Sequence, residues 1–504
     1  MRDSLHARAN AARSAQRQTA NMSALLRGRQ DVQTLQRTFG NRAVGATVQR
    51  LIHLEDKKLD LAADDALARV LPFLNFTSFE AGDYKALHEA LLGLDKDNKS
   101  FESLADLASG LRTLMDAPKG AKSLTVLPQI MTILSLDDFE KMVTKFKIPA
   151  SDQQVLAGQI RENAKFVWGT YKEVQSMMEA TGKKKPTAES IMRFFTASMR
   201  KFSSMVVQDS MELFGHRLGG DIPIAVLMAG SGAREEMFPG SDLDLAVLTD
   251  TKKENTEKLF EFTKLIESRL SATMQYITVQ LNLTKDVGLA PDTGVFGFAH
   301  TPELLAAKTV GMQNVAQDAA VVHVGEGGEK LPERFFQARD EATAPKQALG
   351  ELKDRLVEFG TPQIKARIDI KKDFLRLPTL VLRELATFFQ LKSTNSFDRV
   401  RELVSTKQLD GGLGGSLIDA LEVISRIRIR LHLHHKSEFD EAAFDESGKK
   451  ATTDYVLSKE EQSGLQKASD TLARFHEACM NFVASGGTEG LAPSKAKSKW
   501  NIFG

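Results

Sequence analysis

The sequence is short of cysteine, of long apolar runs and of any excess of charge. A single cysteine, Cys479, stands among 504 residues, so no internal disulfide framework is available. Its neighbours His476, Glu477, Met480 and Phe482 read as a helix, and nothing electropositive surrounds it to lower its pKa. It reads as a structural thiol rather than a nucleophile. No stretch approaches the ~18 consecutive apolar residues of a membrane helix. The arginines near the N-terminus are not followed by the apolar core of a Sec-type signal peptide. Lys and Arg number 67 against 66 Asp and Glu, a net charge of +1, which removes any global pull toward nucleic acid or a membrane surface. Such a partner would have to be met by a local patch. What remains is 42% hydrophobic and 26% charged residues, an ordinary globular balance. At ~100–200 residues per domain, the length suggests two to four units.

Residues 1–50 stand apart, with nine Arg, no Lys, and only Asp3 and Asp31 as acids. Such a segment buries too little apolar surface to offset its ordering entropy, and it reads as a disordered basic leader. From Leu51 the apolar spacing turns helical, and 51–182 reads as a helical domain in which Asp137-Asp138 opens one helix. Lys183-Lys184-Lys185-Pro186 punctuates the chain as a solvated loop. A long helix follows over about 188–214, its Phe/Met stripe a core face. Ile224–Ala229 and Leu243–Leu248 read as buried strands. A helix over about 253–270 is followed by the alternating run Met274–Leu283, read as a third strand. Helices return over 345–487: Asp369–Gln390, then one within Asp410–His435 after a breaker at Gly411–Gly415, then Ser458–Ala484. The glycine cluster lacks the following Lys-Ser/Thr of a phosphate loop. The tail, 488–504, is basic and loose in character.

The segment from Ile224 to Leu248 carries the chemistry. One apolar strand ends in Gly230-Ser231, where small residues let backbone N–H groups approach phosphate oxygens closely. The next begins with Asp242-Leu243-Asp244. Alternate side chains of a strand share a face, so both carboxylates project together while Leu243 points into the core. Two ionised carboxylates that close repel unless a cation sits between them. Mg²⁺ suits this arrangement, being a hard ion held by one or two carboxylates plus substrate phosphates. Arg234 could pair with phosphate through its planar fork, or anchor the turn through Glu236. The bland alternative is a surface turn closed by an Asx motif.

Gly230, Ser231, Arg234, Glu236, Ser241, Asp242 and Asp244 resemble, without a gap, the signature of the polymerase-beta-like nucleotidyltransferases. Within that superfamily they are most similar to bacterial protein uridylyl- and adenylyltransferases and to nucleotidyltransferase-like proteins often fused to CBS domains. Ala233 replaces a glycine of the pattern. Asp369-Ile370-Lys371-Lys372, Arg383-Glu384-Leu385-Ala386, Phe397-Asp398-Arg399 and Arg426–His432 resemble the helical domain that follows the transferase in those proteins. The resemblance spans about 190–485. It implies an α+β, mostly helical fold, with a small mixed-sheet nucleotidyltransferase domain (188–335) between helical domains. It implies Mg²⁺ or Mn²⁺ on Asp242 and Asp244, and an NTP held by Gly230, Ser231, Arg234 and Ser241. Lys371 and Arg428 are candidate substrate contacts, although an exposed charge or helix-stabilising pair is the commoner outcome for such residues. His432, His434 and His435 read as a solvated face rather than a metal site. The superfamily usually adds a third carboxylate on a later strand. The strand read at Ile277–Leu283 has none, which leaves Asp286 or Asp292 from the following loop, or Gln280 in its place.

A second resemblance lies in the leader. Leu35-Gln36-Arg37-Thr38-Phe39-Gly40-Asn41-Arg42-Ala43-Val44 is similar to the leaders of toxins and cargo carried by phage-tail-like contractile injection particles. Together these resemblances imply a bacterial effector that is packaged without a Sec signal, bound to particle components through 1–50, and delivered to a target-cell cytosol. There it would transfer AMP or UMP to a macromolecular acceptor, a protein hydroxyl first and an RNA 3′ end second. The rivals are a catalytically degenerate nucleotide- or protein-binding module and a structural particle component.

Overall fold

The structure is a computed structural model that describes residues 133, 136–148, 150–182, 185–218, 222–250, 256–280, 301–303, 305–306, 318–342, 345–488 and 490–491. The leader, the helices expected over 51–132, Asp286, Asp292 and the tail 492–504 lie outside the described residues. The chain divides into two units, Met1–Glu162 and Asn163–Gly504. In the first, α1 (Asp137–Lys145) has Asp137, Asp138 and Glu140 in its first turn, where they complement the helix dipole, and buries Phe139, Met142 and Val143. The next helix, α2, is Ala150–Glu179.

The second unit is α+β and mostly helical. After α3 (Ala188–Leu218) come β1 (Ile224–Ala229), a four-residue helix α4 (Gly230–Ala233), β2 (Leu245–Thr249) and α5 (Thr256–Gln280). Then follow β3 (Ala319–Val324), α6 (Lys330–Ala342) and α7 (Pro345–Phe359). The sheet order is β2-β1-β3. The sheet expected as mixed is antiparallel in both described pairings. Every residue of β1 is buried, as its unbroken apolar run requires of a central strand. Ala225 and Leu227 of β1 and Ala246 and Leu248 of β2 share one face, packed with Leu331 and Phe335 of α6.

The strand expected at Met274–Leu283 is not one. Residues 274–280 continue α5, whose Phe262, Leu265, Ile266, Arg269, Leu270, Thr273 and Ile277 are buried at spacings of three and four. The alternation of Tyr276, Thr278 and Gln280 is outweighed by this buried helical stripe, and 281–283 lie outside the described residues. The third place in the sheet goes instead to β3, an Ala/Val run that begins directly after Asp318.

Beyond α7 the chain forms β4 (Arg367–Asp369), a π-helical turn (Ile370–Leu375), α8 (Arg376–Phe388), α9 (Ser396–Ser405), α10 (Gly411–His435), β5 (Glu441–Ala443) and α11 (Lys459–Ala484). The helix expected from Asp369 thus opens with a π-turn, and Asp369 caps it by accepting from the Lys372 N–H. β4 pairs with β5 in a two-stranded ribbon that the periodicity did not reveal. The expected glycine breaker at Gly411–Gly415 lies inside α10, because Asp410 caps it by accepting from the Leu413 N–H. A Cβ on Gly414 would come within 2.3 Å of Val404 Cγ2, so the glycine is there to let α10 approach α9. Ser458 and Glu461 close a reciprocal capping box at the start of α11.

Candidate active site

The antiparallel register places the end of β1 beside the start of β2, with Met228 opposite Leu245. One step further the Ala229 N–H donates to the Asp244 carbonyl at 2.9 Å. Gly-Ser and Asp-x-Asp, separated by ten residues in sequence, therefore meet at one end of the sheet. The contact is close: a Cβ on Gly230 would lie 2.8 Å from Asp244 Oδ2. Gly230 also has φ +58°, the left-handed region that favours glycine. Within this segment β1 and β2 are buried, whereas Gly230, Ser231, Asp242 and Asp244 are half-buried and Leu243 between the acids is fully buried. The alternation expected of Asp242-Leu243-Asp244 is the one observed.

Gly230→Ala should cost about 1–2 kcal/mol for its left-handed backbone alone. It should also displace the Asp244 carboxylate. The expected result is a modest drop in melting temperature with a disproportionate loss of divalent-cation affinity, checked by calorimetry and Mn²⁺ titration.

Charge around the acids explains what they can hold. Burial raises the Asp242 carboxyl to about 6, and the carboxylates of Glu438 and Asp244 add to this against the opposing pull of Lys371. The Glu438 side chain adjoins that of Asp242. Glu438 also receives Lys371 Nζ at 2.5 Å and Arg428 Nη2 at 3.1 Å. A divalent cation would relieve this crowding of negative charge, and two half-buried carboxylates fit a hard ion such as Mg²⁺ or Mn²⁺. Among the described residues no group of three or more His, Cys, Asp or Glu side chains has metal-holding geometry. A third acidic side chain does adjoin Asp242, but Glu438 from the turn after α10 supplies it, not a strand. No local motif marks that residue in the sequence.

Other expected site residues are held by the protein itself. Arg234 Nε donates to Glu236 Oε2 at 2.9 Å and its Nη1 to Asp318 Oδ2 at 3.3 Å, so it anchors the turn through Glu236. Arg399 Nη2 donates to Asp318 Oδ1 at 2.5 Å. Burial pushes the Asp318 carboxyl up, yet the guanidiniums of Arg399, Arg234 and Arg383 outweigh that and hold it below its ordinary value. Ser241 Oγ accepts from the Phe238 N–H at 2.8 Å, and the Ser241 N–H returns to the Phe238 carbonyl at 2.8 Å, closing the turn that delivers Asp242. From α3, Arg200 donates to the Gly232 and Ala233 carbonyls at 2.7 and 2.9 Å. Lys371 and Arg428 are engaged with Glu438, the ion-pair outcome rather than a free substrate contact.

Residues 172–277 match a family model described as "Putative nucleotidyltransferase DUF294", and residues 333–481 match one described as "Putative nucleotidyltransferase substrate binding domain". The chain carries a nucleotidyltransferase-like pair of domains. The search of curated proteins gave no match. Within the nucleotidyltransferase-like region the matched segment contains β1, β2 and both halves of the acid motif. The substrate-binding-like region contributes Glu438, Arg428 and His432 to the loop that carries Asp242.

His432 departs from expectation. The run of three histidines reads as a solvated face, but the His432 side chain is fully buried. Its Nδ1 accepts the Gly240 N–H at 3.0 Å and its Nε2 meets Asp440 Oδ1 at 3.0 Å. A nitrogen that accepts carries no proton, so Nε2 is the donor and the ring is neutral. Burial pulls the His432 imidazole below its usual value against the raising effect of Asp440. The neighbouring His432 and Arg428 more than offset burial at Asp440, holding that carboxyl well below the usual range.

The folded state therefore binds fewer protons at both groups than the unfolded chain, and stability falls as pH falls. For His432 the loss sets in as pH falls through the unfolded value of about 6.5. His432→Asn should abolish that part of the slope, as followed by denaturant unfolding at a series of pH values.

A cleft of about 630 Å³ opens between α10 and α11, lined among others by Arg426, Arg430, Lys467 and Arg474. Arg426 and Arg430 lie on the face of α10 opposite Arg428 and His432, and none of the cleft's lining residues belongs to the 238–244 loop. No helix among the described residues is long and apolar enough to cross a membrane.

Proposed function

We propose that the chain transfers a nucleoside monophosphate from an NTP to a macromolecular acceptor. Residues 188–335 would act as the catalytic domain, and 345–487 would help close the site and meet substrate. The observation that carries the reading is the convergence of Gly230-Ser231 with Asp242 and Asp244 at one half-exposed end of an otherwise buried sheet. Asp242 and Asp244 would hold Mg²⁺ or Mn²⁺, which when bound offsets the charge of the triphosphate and of the displaced pyrophosphate. Ser231 and the backbone at Gly230 would receive phosphate oxygens. Ser241 and Arg234 fix the two turns, the first by its hydroxyl and the second through Glu236 and Asp318. The acceptor hydroxyl oxygen attacks the α-phosphorus as the bond to pyrophosphate breaks and its proton passes to solvent, so positioning and charge neutralisation are what the protein supplies.

AMP or UMP is the group transferred and a protein hydroxyl the preferred acceptor, with an RNA 3′ end second. Support for these comes from the resemblance to protein-modifying transferases and is analogy, not geometry. The leader motif Leu35–Val44 supports delivery by a contractile injection particle into a target cell.

The test is transfer of label from α-³²P-ATP, GTP, CTP and UTP into cell lysate with Mg²⁺. Metal-dependent label that is lost on protease treatment supports the protein acceptor, and loss on RNase treatment moves the acceptor to RNA. An absence of label with all four nucleotides, in lysates of several hosts, would leave a binding module as the better reading.

A further inference from the structure

The turn that delivers Asp242 is gripped from α10. At its centre the Gly240 N–H donates to the His432 Nδ1 at 3.0 Å. The imidazole is kept in that tautomer by Asp440, which accepts from Nε2 at 3.0 Å. Asp440 is itself fixed by Arg428, through Nε at 2.6 Å and Nη2 at 3.0 Å. The same Arg428 guanidinium lies over the Phe238 ring, 4.2 Å from its centroid, and the His432 ring meets Phe238 edge-on at 5.9 Å. Arg428 and His432 are four residues apart, so they stand one above the other on one face of α10. Together they hold a ring and a backbone amide of a single four-residue turn. There is no slack, since a Cβ on Gly240 would lie 2.7 Å from the Glu438 nitrogen and 2.8 Å from the Ser437 carbonyl carbon.

We propose that His432 is a positioning residue: through the Gly240 amide it sets where Asp242 stands relative to Asp244, and so the divalent-cation affinity of the pair. The relay would make the helical region a part of the metal site rather than a neighbour of it. His432 touches no substrate, so its effect is on geometry. Histidine suits the position because its ring reaches the amide with one nitrogen while the other is locked by a carboxylate, a hold that an aliphatic side chain of the same bulk lacks. The proposal rests on the nucleotidyl-transfer reading only for the identity of the bound ion's use, and its first readout does not involve turnover.

The experiment compares wild type with His432→Leu and His432→Asn. Leucine keeps bulk and removes the acceptor, whereas the asparagine Oδ1 can take the place of Nδ1. Mn²⁺ binding is followed by electron paramagnetic resonance, Gly240 by amide exchange, and transfer by kcat and the Mg²⁺ concentration for half-maximal rate. The expected result is an approximately tenfold loss of Mn²⁺ affinity and of Gly240 protection in His432→Leu, the tenfold corresponding to about 1.4 kcal/mol. His432→Asn should remain within about threefold of wild type. The Mg²⁺ requirement should rise in His432→Leu before kcat falls.

Equal Mn²⁺ affinity in wild type and His432→Leu, with Gly240 exposed in the latter, would overturn the proposal, and so would equal losses in the two variants. Should His432→Leu not fold, Asp440→Asn takes its place, with a loss in the same direction expected and no loss overturning the idea. Wild-type protein that binds Mn²⁺ tightly but transfers nothing would sink the transfer reading and leave the positioning role standing on its own data.

Discussion

Replacing Asp244 by Asn, or Asp242 by Asn, should lower nucleotidyl transfer by about 10²–10³-fold while leaving the melting temperature nearly unchanged. The magnitude is that of removing one preorganised electrostatic group from a site where charge is transferred. Asn keeps the shape of the side chain and removes a hard anionic ligand, so the change falls on cation binding. Both acids are half-buried at the sheet end, not in its core, and a substitution of this kind usually moves stability by less than about 0.5 kcal/mol. For Asp242 stability could even rise, because its carboxyl is crowded by Glu438 and Asp244. The check is initial rates at saturating NTP over a range of Mg²⁺, paired with calorimetry. Unchanged turnover in Asp244→Asn would remove the active site from this end of the sheet.

The largest stability effect is expected from Asp318→Ala. Asp318 is 1% exposed and sits between two guanidiniums, Arg234 at 3.3 Å and Arg399 at 2.5 Å. Both partners are themselves largely buried, so removing the carboxylate leaves two positive charges with little water to solvate them. Breaking a buried pair in this way costs about 3–5 kcal/mol. In a unit of this size that corresponds to a fall in melting temperature of roughly 6–15 °C. Function should suffer as well, because Arg234 immediately follows α4 and α4 begins with Gly230 and Ser231. The contrast is the exposed pair Arg355–Glu358, whose carboxylate is 51% exposed. Its Glu358→Ala variant should fall within about 1 kcal/mol of wild type. Comparable melting temperatures for the two variants would contradict this account.

The local elements of the site were legible in the sequence, because each depends on neighbours in the chain. An unbroken apolar run ending in Gly-Ser dictates a buried strand and a tight turn. The order Asp-Leu-Asp at the head of the next run dictates two carboxylates on one face with a core residue between them. The helix expected over Ser458–Ala484 is found as α11, Lys459–Ala484, with Ser458 as its cap. Where two periodicities competed, as at 274–283, the sequence could not arbitrate, since a half-apolar stretch is compatible with strand or helix until something packs against it. Burial of Thr273, Met274 and Ile277 decided for the helix. The third strand then came from Ala319–Val324, a short apolar run without a flanking motif.

Only the tertiary structure could decide what the charges do. Arg234, Arg399 and Asp318 are far apart in sequence, and their ion pairs exist because β3, α4 and α9 meet. Lys371 and Arg428 read as exposed or paired charges or substrate contacts, and both are paired with Glu438, which nothing in the sequence marks, beside Asp242. His432 looked like one of three solvated histidines, and the fold buries it against Gly240, 192 residues earlier in the chain. The physical reason is the same in each case. Backbone periodicity and capping are set by residues three or four apart, whereas the partner of a buried charge or an imidazole nitrogen is whatever the folding of distant segments brings within about 3 Å.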